Sequence, residues 1–223
     1  DGLQNGGEVG MAGITMSVCN NAACTAIDTT TTDTNGDYAL FIDWGNAFTA
    51  GTARITQTIP TGNLMVNYNP GTATGTAVNT TAGTVTLTFN RGTSRSGILF
   101  GDVQDNTFSP DRSQNGSQLQ PVYYAHTFVS WSTGSVSFST NSRTQAGWTA
   151  LVYYRDANCS GSLDGGDVAL PAVLSVTQGT VICILIQETI PNGTAGGTTD
   201  TFVTRATYTF AGSARPAAST YDV

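Results

Sequence analysis

Residues 156 to 167 read DANCSGSLDGGD, and their types and spacing are those of a calcium loop. The twelve-residue calcium loop supplies oxygen at positions 1, 3, 5, 7, 9 and 12 and turns sharply on a glycine at 6. Asp156 falls at position 1, Asn158 at 3, Ser160 at 5, Gly161 at 6, Asp164 at 9 and Asp167 at 12. Ser162 offers its carbonyl at 7, and Leu163 is the apolar residue at 8. Carboxylate and carbonyl oxygens suit a hard cation, so the expected cofactor is calcium. Aspartate at 12 reaches less far than the usual glutamate. The competing reading is an Asx-rich turn between strands, which needs no metal.

The opening DGLQNGGE repeats the register in part. With Gly2 at position 6, Asp1 falls at 5, Asn5 at 9 and Glu8 at 12, and the first four positions precede the sequence. Either those positions have been cut away, or a second molecule supplies ligands, with Asp222 as the candidate donor. A third cluster, DTNGDY, carries Asp33, Asn35 and Asp37. Its alternative is a hairpin turn with Asn-Gly at the bend.

Four cysteines, Cys19, Cys24, Cys159 and Cys183, have no zinc-site spacing. Two disulfides are expected, and of the three possible connectivities Cys19–Cys24 with Cys159–Cys183 keeps each bridge within one half of the chain; the alternative is four buried free thiols. Disulfides imply an oxidising, extracellular compartment. His126 is the single histidine and lies in phase with Val122, Tyr124 and Phe128, as a satisfied, partly buried residue does. No nucleophile elbow, phosphate loop or dinucleotide fingerprint occurs. The expectation is therefore not an enzyme. Trp44, Trp131 and Trp148 could form a platform for glycans, or pack in cores.

These residues need elements to hold them, and composition says which. Glycine numbers 26, charged residues are 10% of the chain, and all eight basic residues are arginine. Helix surfaces draw on Lys and Glu, and this chain has no lysine and two glutamates. Threonine and valine favour strands, and glycine and asparagine favour turns. A net charge of −7 argues against nucleic acid and against docking on anionic lipid as partners. No apolar run is long enough for membrane insertion as a helix.

Alternation of period two marks strands at 14–18, 38–42, 55–59 and 85–89, four or five strands before residue 91. Further strands are expected at 121–130, 134–139, 148–155, 168–176, 180–189 and 201–210. Val181 to Ile186 is apolar on both faces and reads as a central, doubly covered strand. Residues 104–120 form a long polar stretch without a pattern. The polar RGTSRSG at 91–97 is the expected boundary between domains 1–97 and 98–223, with the following ILFGDV assignable to either side. The expected fold class is all-β, two tandem β-sandwich domains of prealbumin or Ig type.

DGLQNGGEVGMAGITMSV, TTDTNGDYALFI and FTAGTARITQTIPTG, in that order, resemble the Cna B-like and serine-aspartate-repeat B-type β-sandwich domains of bacterial surface proteins over residues 1–90. The resemblance implies a prealbumin-like sandwich with calcium ligands among Asp1, Asn5, Glu8, Asp33, Asn35 and Asp37. The second half is similar to secreted bacterial surface-repeat modules. Many B-type domains carry a Lys–Asn isopeptide bond, which a chain without lysine cannot make, so calcium and disulfides would take over that role. The functional expectation is a calcium-stabilised extracellular structural protein, a building block of a surface layer or fibre. Its partners would be copies of itself or other surface proteins. The alternative is an adhesin or carbohydrate-binding module of a larger secreted protein.

Overall fold

The structure, a computed structural model, describes residues 8–20, 25–42, 51–90 and 92–223. Among them no helix forms, and the chain is all-β with antiparallel sheets. It divides into two compact units, Asp1–Asp105 with Gly212–Pro216, and Asn106–Ala211 with Ala217–Val223.

The first unit holds β1 (Thr15–Cys19), β2 (Ala26–Thr31), β3 (Gly51–Gln57), β4 (Asn63–Asn69), β5 (Thr74–Asn79), β6 (Thr84–Phe89) and β7 (Leu99–Gln104). One sheet runs β2-β1-β3-β6-β5, and β4 pairs with β7 in another. The alternation in β1, β3 and β6 sends Met16, Val18, Ala53, Ile55, Val85 and Leu87 into one core with Met65 and Ile98. The opposite face carries Ser17, Thr29, Thr56 and Thr86, and the hydroxyls of Ser17 and Thr29 meet across strands at 3.2 Å.

Two expectations change here. Tyr38, Leu40 and Ile42 pack against the core with the expected alternation, yet 38–42 joins no ladder. The segment is held from its ends and side: Tyr38 donates its hydroxyl to the Ile98 carbonyl, and the Phe41 N–H donates to Asp28. The expected division at residue 97 precedes β7, which pairs with β4 and belongs to the first unit. Gly212–Pro216 also belongs to that unit: Ala214 and Arg215 N–H groups donate to the Val66 carbonyl, and Arg215 donates to the carbonyls of Met65 and Thr80.

The second unit holds β8 (Thr107–Ser109), β9 (Pro121–Val129), β10 (Gly134–Arg143), β11 (Val152–Arg155), β12 (Val168–Ala169), β13 (Leu174–Val176), β14 (Val181–Thr189), β15 (Phe202–Phe210) and β16 (Ala218–Asp222). Its sheets run β12-β11-β14-β9-β8 and β13-β10-β15-β16. Aromatic side chains fill the space between them. Phe128 meets Phe138 edge-on at 5.6 Å, Tyr124 meets Phe202 at 5.0 Å and Tyr208 meets Phe210 at 5.6 Å.

β14 is the central strand of its sheet, as its composition predicts. Ile182, Ile184 and Ile186 face the core. Leu185 points the other way and is still wholly buried, at 0% exposure. The 156–167 loop lies on that side, bonded to Cys183 two residues away. A Cβ added at Gly161 would lie 3.7 Å from that of Ala125, which pairs with Leu185 in the ladder.

Candidate functional site

The 156–167 loop leaves β11 and is tied to β14 twice. The Asp156 N–H donates to the Cys183 carbonyl at 3.0 Å, and Cys159 forms a disulfide with Cys183. The disulfide pairs Cys159 and Cys183 as expected. Cys19 is also disulfide-bonded, and Cys24 lies outside the described residues.

Inside the loop the expected ligands fold onto the backbone. Asp156, 4% exposed, accepts the N–H groups of Ser160 at 3.0 Å and Gly161 at 2.8 Å. Gly161 has φ 74°, the left-handed conformation that glycine reaches at least cost, and this is what position 6 requires. Asp167 closes the loop from its far end, accepting from Ala157 and Asp164, each at 2.9 Å. Asp164 accepts from Gly166 and from the Asn158 amide, which hold its carboxyl below the usual carboxylate range. Asn158 accepts from Ser160, whose own hydroxyl donates to the Ser162 carbonyl.

The oxygen donors are right for calcium, and Asp156 is a buried carboxylate engaged only by neutral N–H groups. In this closed form, however, no group of three or more His, Cys, Asp or Glu side chains among the described residues is close enough to hold a metal. The three carboxylates, Asp156, Asp164 and Asp167, share one loop without forming such a group.

Of the N-terminal cluster, Asp1 and Asn5 lie outside the described residues and Glu8 is exposed. DTNGDY forms an Asx turn: Asp33 accepts from Asn35 at 2.8 Å and Asp37 at 3.0 Å. Gly10 packs directly on this turn, where a Cβ would stand 2.1 Å from the Asn35 carbonyl oxygen. The segment leading from Glu8 therefore passes against Asp33–Asp37.

Asp222 is not available to a second molecule. It is 3% exposed and accepts from His126, Nδ1 to Oδ2, at 2.8 Å. Burial, and then the hydrogen-bonded carboxyl of Asp111, push Asp222 up against the pull of His126. His126 is 2% exposed, its Nε2 has no partner, and Phe108 packs 5.4 Å from its ring. A partly buried, satisfied histidine is the expectation; the residue is almost wholly buried and only its Nδ1 is paired, which ties β9 to β16.

Sequence reasoning missed the second polar cluster. Arg143 donates to Asp200 at 2.5 Å and to Glu188, and lies over the Trp148 ring at 5.5 Å. Tyr124 donates to Glu188 at 3.1 Å. Burial, then the contact with Asp200, raise Glu188 to about 7. Burial pushes Asp200 up as well, but its bonds with Glu188, Gln145, Thr144 and Arg143 outweigh that and hold it low. No sequence spacing joins residues 143, 188 and 200. The one signal was a glutamate at an inward-facing position of a strand otherwise lined by isoleucine. Trp131 and Trp148 are half-buried packing residues, and Trp44 lies outside the described residues.

No family model matches the sequence, and none of the curated proteins matches it. In structure the chain is similar to the major pilin subunit of Bacillus cereus, with a TM-score of 0.43 and 14% identity. The likeness covers 98% of this chain and 65% of that one, so the chain spans less than two thirds of the pilin's length. No helix among the described residues is long and apolar enough to cross a membrane.

Proposed function

We propose that the chain is an extracellular structural protein, a surface or fibre building block that associates with copies of itself or with other surface proteins. The observation that carries this reading is where the chemistry-bearing residues go. His126, Glu188, Asp200 and Asp222 are turned into the wall of a sandwich and paired there, and the acidic loop covers the central strand under a disulfide. Such groups add cohesion and leave no reacting atom open to a substrate. A disulfide belongs to a compartment outside the reducing cytosol. Calcium belongs to the same proposal: re-aiming Asp164 and Asp167 inward would give the loop its cation and Asp156 a counter-charge.

Association is assigned to the edge of the first unit. Three of the four sheet edges in the second unit are short strands, of two residues at β12 and three at β8 and β13, and the fourth, β16, has five. β2 is an edge strand of six residues, AIDTTT, without lysine or proline. Short edges resist pairing, and a longer one without lysine or proline invites it. Electron microscopy of concentrated non-reduced protein tests this. Wild type should give filaments or linear oligomers, and Thr29→Lys with Thr31→Lys should give single particles at an unchanged melting temperature. Monodisperse wild-type particles would contradict the reading. A glycan-binding role is favoured by one different surface, on the second unit.

A further inference from the structure

We propose that the outward face of the β10-β15-β16 sheet binds carboxylate-bearing sugar chains, with Arg205 as the anion contact and Tyr221 as the platform beside it.

The ladder places these residues together. Ser139 and Tyr221 each pair directly with Arg205, on either side of it. The next row is Ser137, Thr207 and Ser219, and the row beyond is Ser135 and Thr209. Directly opposite residues point to the same face. The alternate residues Thr204, Ala206, Tyr208 and Asp222 are buried in the core, so these rows face away from it. Their hydroxyls are already aligned, with Ser135–Thr209 at 2.8 Å and Thr207–Ser219 at 3.1 Å. No carboxylate stands in any of the three rows. Tyr221 is 52% exposed on this face.

Arg205 is an unspent cation in an acidic chain of net charge −7. Arg143 is held by Glu188 and Asp200, Arg112 donates to the Ala125 carbonyl, Arg95 to that of Thr72, and Arg215 to those of Met65 and Thr80. The Arg205 side chain has no such partner among the described residues, and its Nε is shut off from solvent with no acceptor. The buried Nε is closed to any ligand, so an anion would meet Arg205 end-on through its two terminal Nη groups. Its planar fork fits a carboxylate bidentately, which an ammonium does not. An exposed phenol offers its ring to the apolar face of a sugar, and serine and threonine hydroxyls both donate to and accept from sugar hydroxyls. A protein partner would need a desolvated apolar centre, which this flat hydroxyl-covered face does not provide.

The assignment does not depend on filament assembly and is tested on dispersed protein. Oligogalacturonate is titrated calorimetrically at low salt, with a neutral galactose oligomer of equal length as the control. Wild type should bind the uronate, more weakly as salt rises, and should not bind the neutral chain. Arg205→Gln should weaken binding about tenfold or more, the worth of a charged hydrogen-bonded pair. Tyr221→Ser should also weaken it, and Arg205→Lys, which keeps the charge and loses the fork, should bind several-fold less tightly than wild type. Unchanged melting temperatures make these losses of binding and not of folding. Equal affinity for both sugars, no binding by wild type, or undiminished binding by Arg205→Gln would overturn the proposal. So would an Arg205→Gln protein whose only defect is loss of self-association, because the face would then belong to a second copy.

Discussion

At the scale of single residues, the second unit keeps its acids by burying them among partners, and that has consequences for pH. Glu188 is raised to about 7 by burial and by Asp200, from an unfolded value near 4.5. The folded state therefore binds more protons than the unfolded state between those limits. Stability from this group is full below the unfolded value and is lost as pH rises through about 7, by at most about 3 kcal/mol. The melting temperature should fall between pH 5 and 7, and in Glu188→Gln that component should vanish. An equal slope in both proteins would refute the assignment. Asp222 sits differently, because its partner His126 has a second nitrogen with no hydrogen-bond partner. Asp222→Ala leaves a buried imidazole unpaired and should cost about 2 kcal/mol or more by chemical denaturation. His126 was legible in the sequence because its position shared the phase of Val122 and Phe128. The partnership with Asp222, ninety-six residues away, was not, because contact across a sandwich leaves no local spacing.

At the scale of elements, strands that alternate cleanly and sit within a sheet were legible: β1, β3, β6, β9, β10, β14 and β15. Those missed lie at edges or are bulged. β4 buries Met65, Val66 and Asn67 in succession around a register shift, so its pattern has no period. β2 and β5 are edge strands with little apolar content. The expected strand at 168–176 is split into β12 and β13 around Pro171, which lacks the N–H a ladder needs. The 156–167 loop was legible as chemistry but not as a cover, because nothing in its residues shows that Leu185 lies beneath. Its disulfide closes a separation of 24 residues, and Cys159→Ser with Cys183→Ser should lower stability by about 3 kcal/mol. Exposure of Leu185 should follow, read as faster amide exchange in β14 than in β15. Loss of stability without that local opening would mean that the loop covers the strand unaided.

At the scale of the whole molecule, composition announced an all-β chain of two units, and two units form. The placement of Gly212–Pro216 with the first unit could not be read, since it depends on Val66 and Thr80 accepting bonds from residues far along the chain. The common theme is that residues able to do chemistry are used for cohesion, and the loop at 156–167 carries that claim most heavily. Thermal unfolding of the non-reduced protein in calcium and then in excess EDTA, with metal analysis of each sample, tests it most directly. The account predicts a melting temperature that rises with calcium for wild type and does not rise for Asp156→Asn with Asp167→Asn. Identical melting of metal-free and calcium-loaded wild type would contradict it, and would leave the loop as a turn held by its own hydrogen bonds and the disulfide.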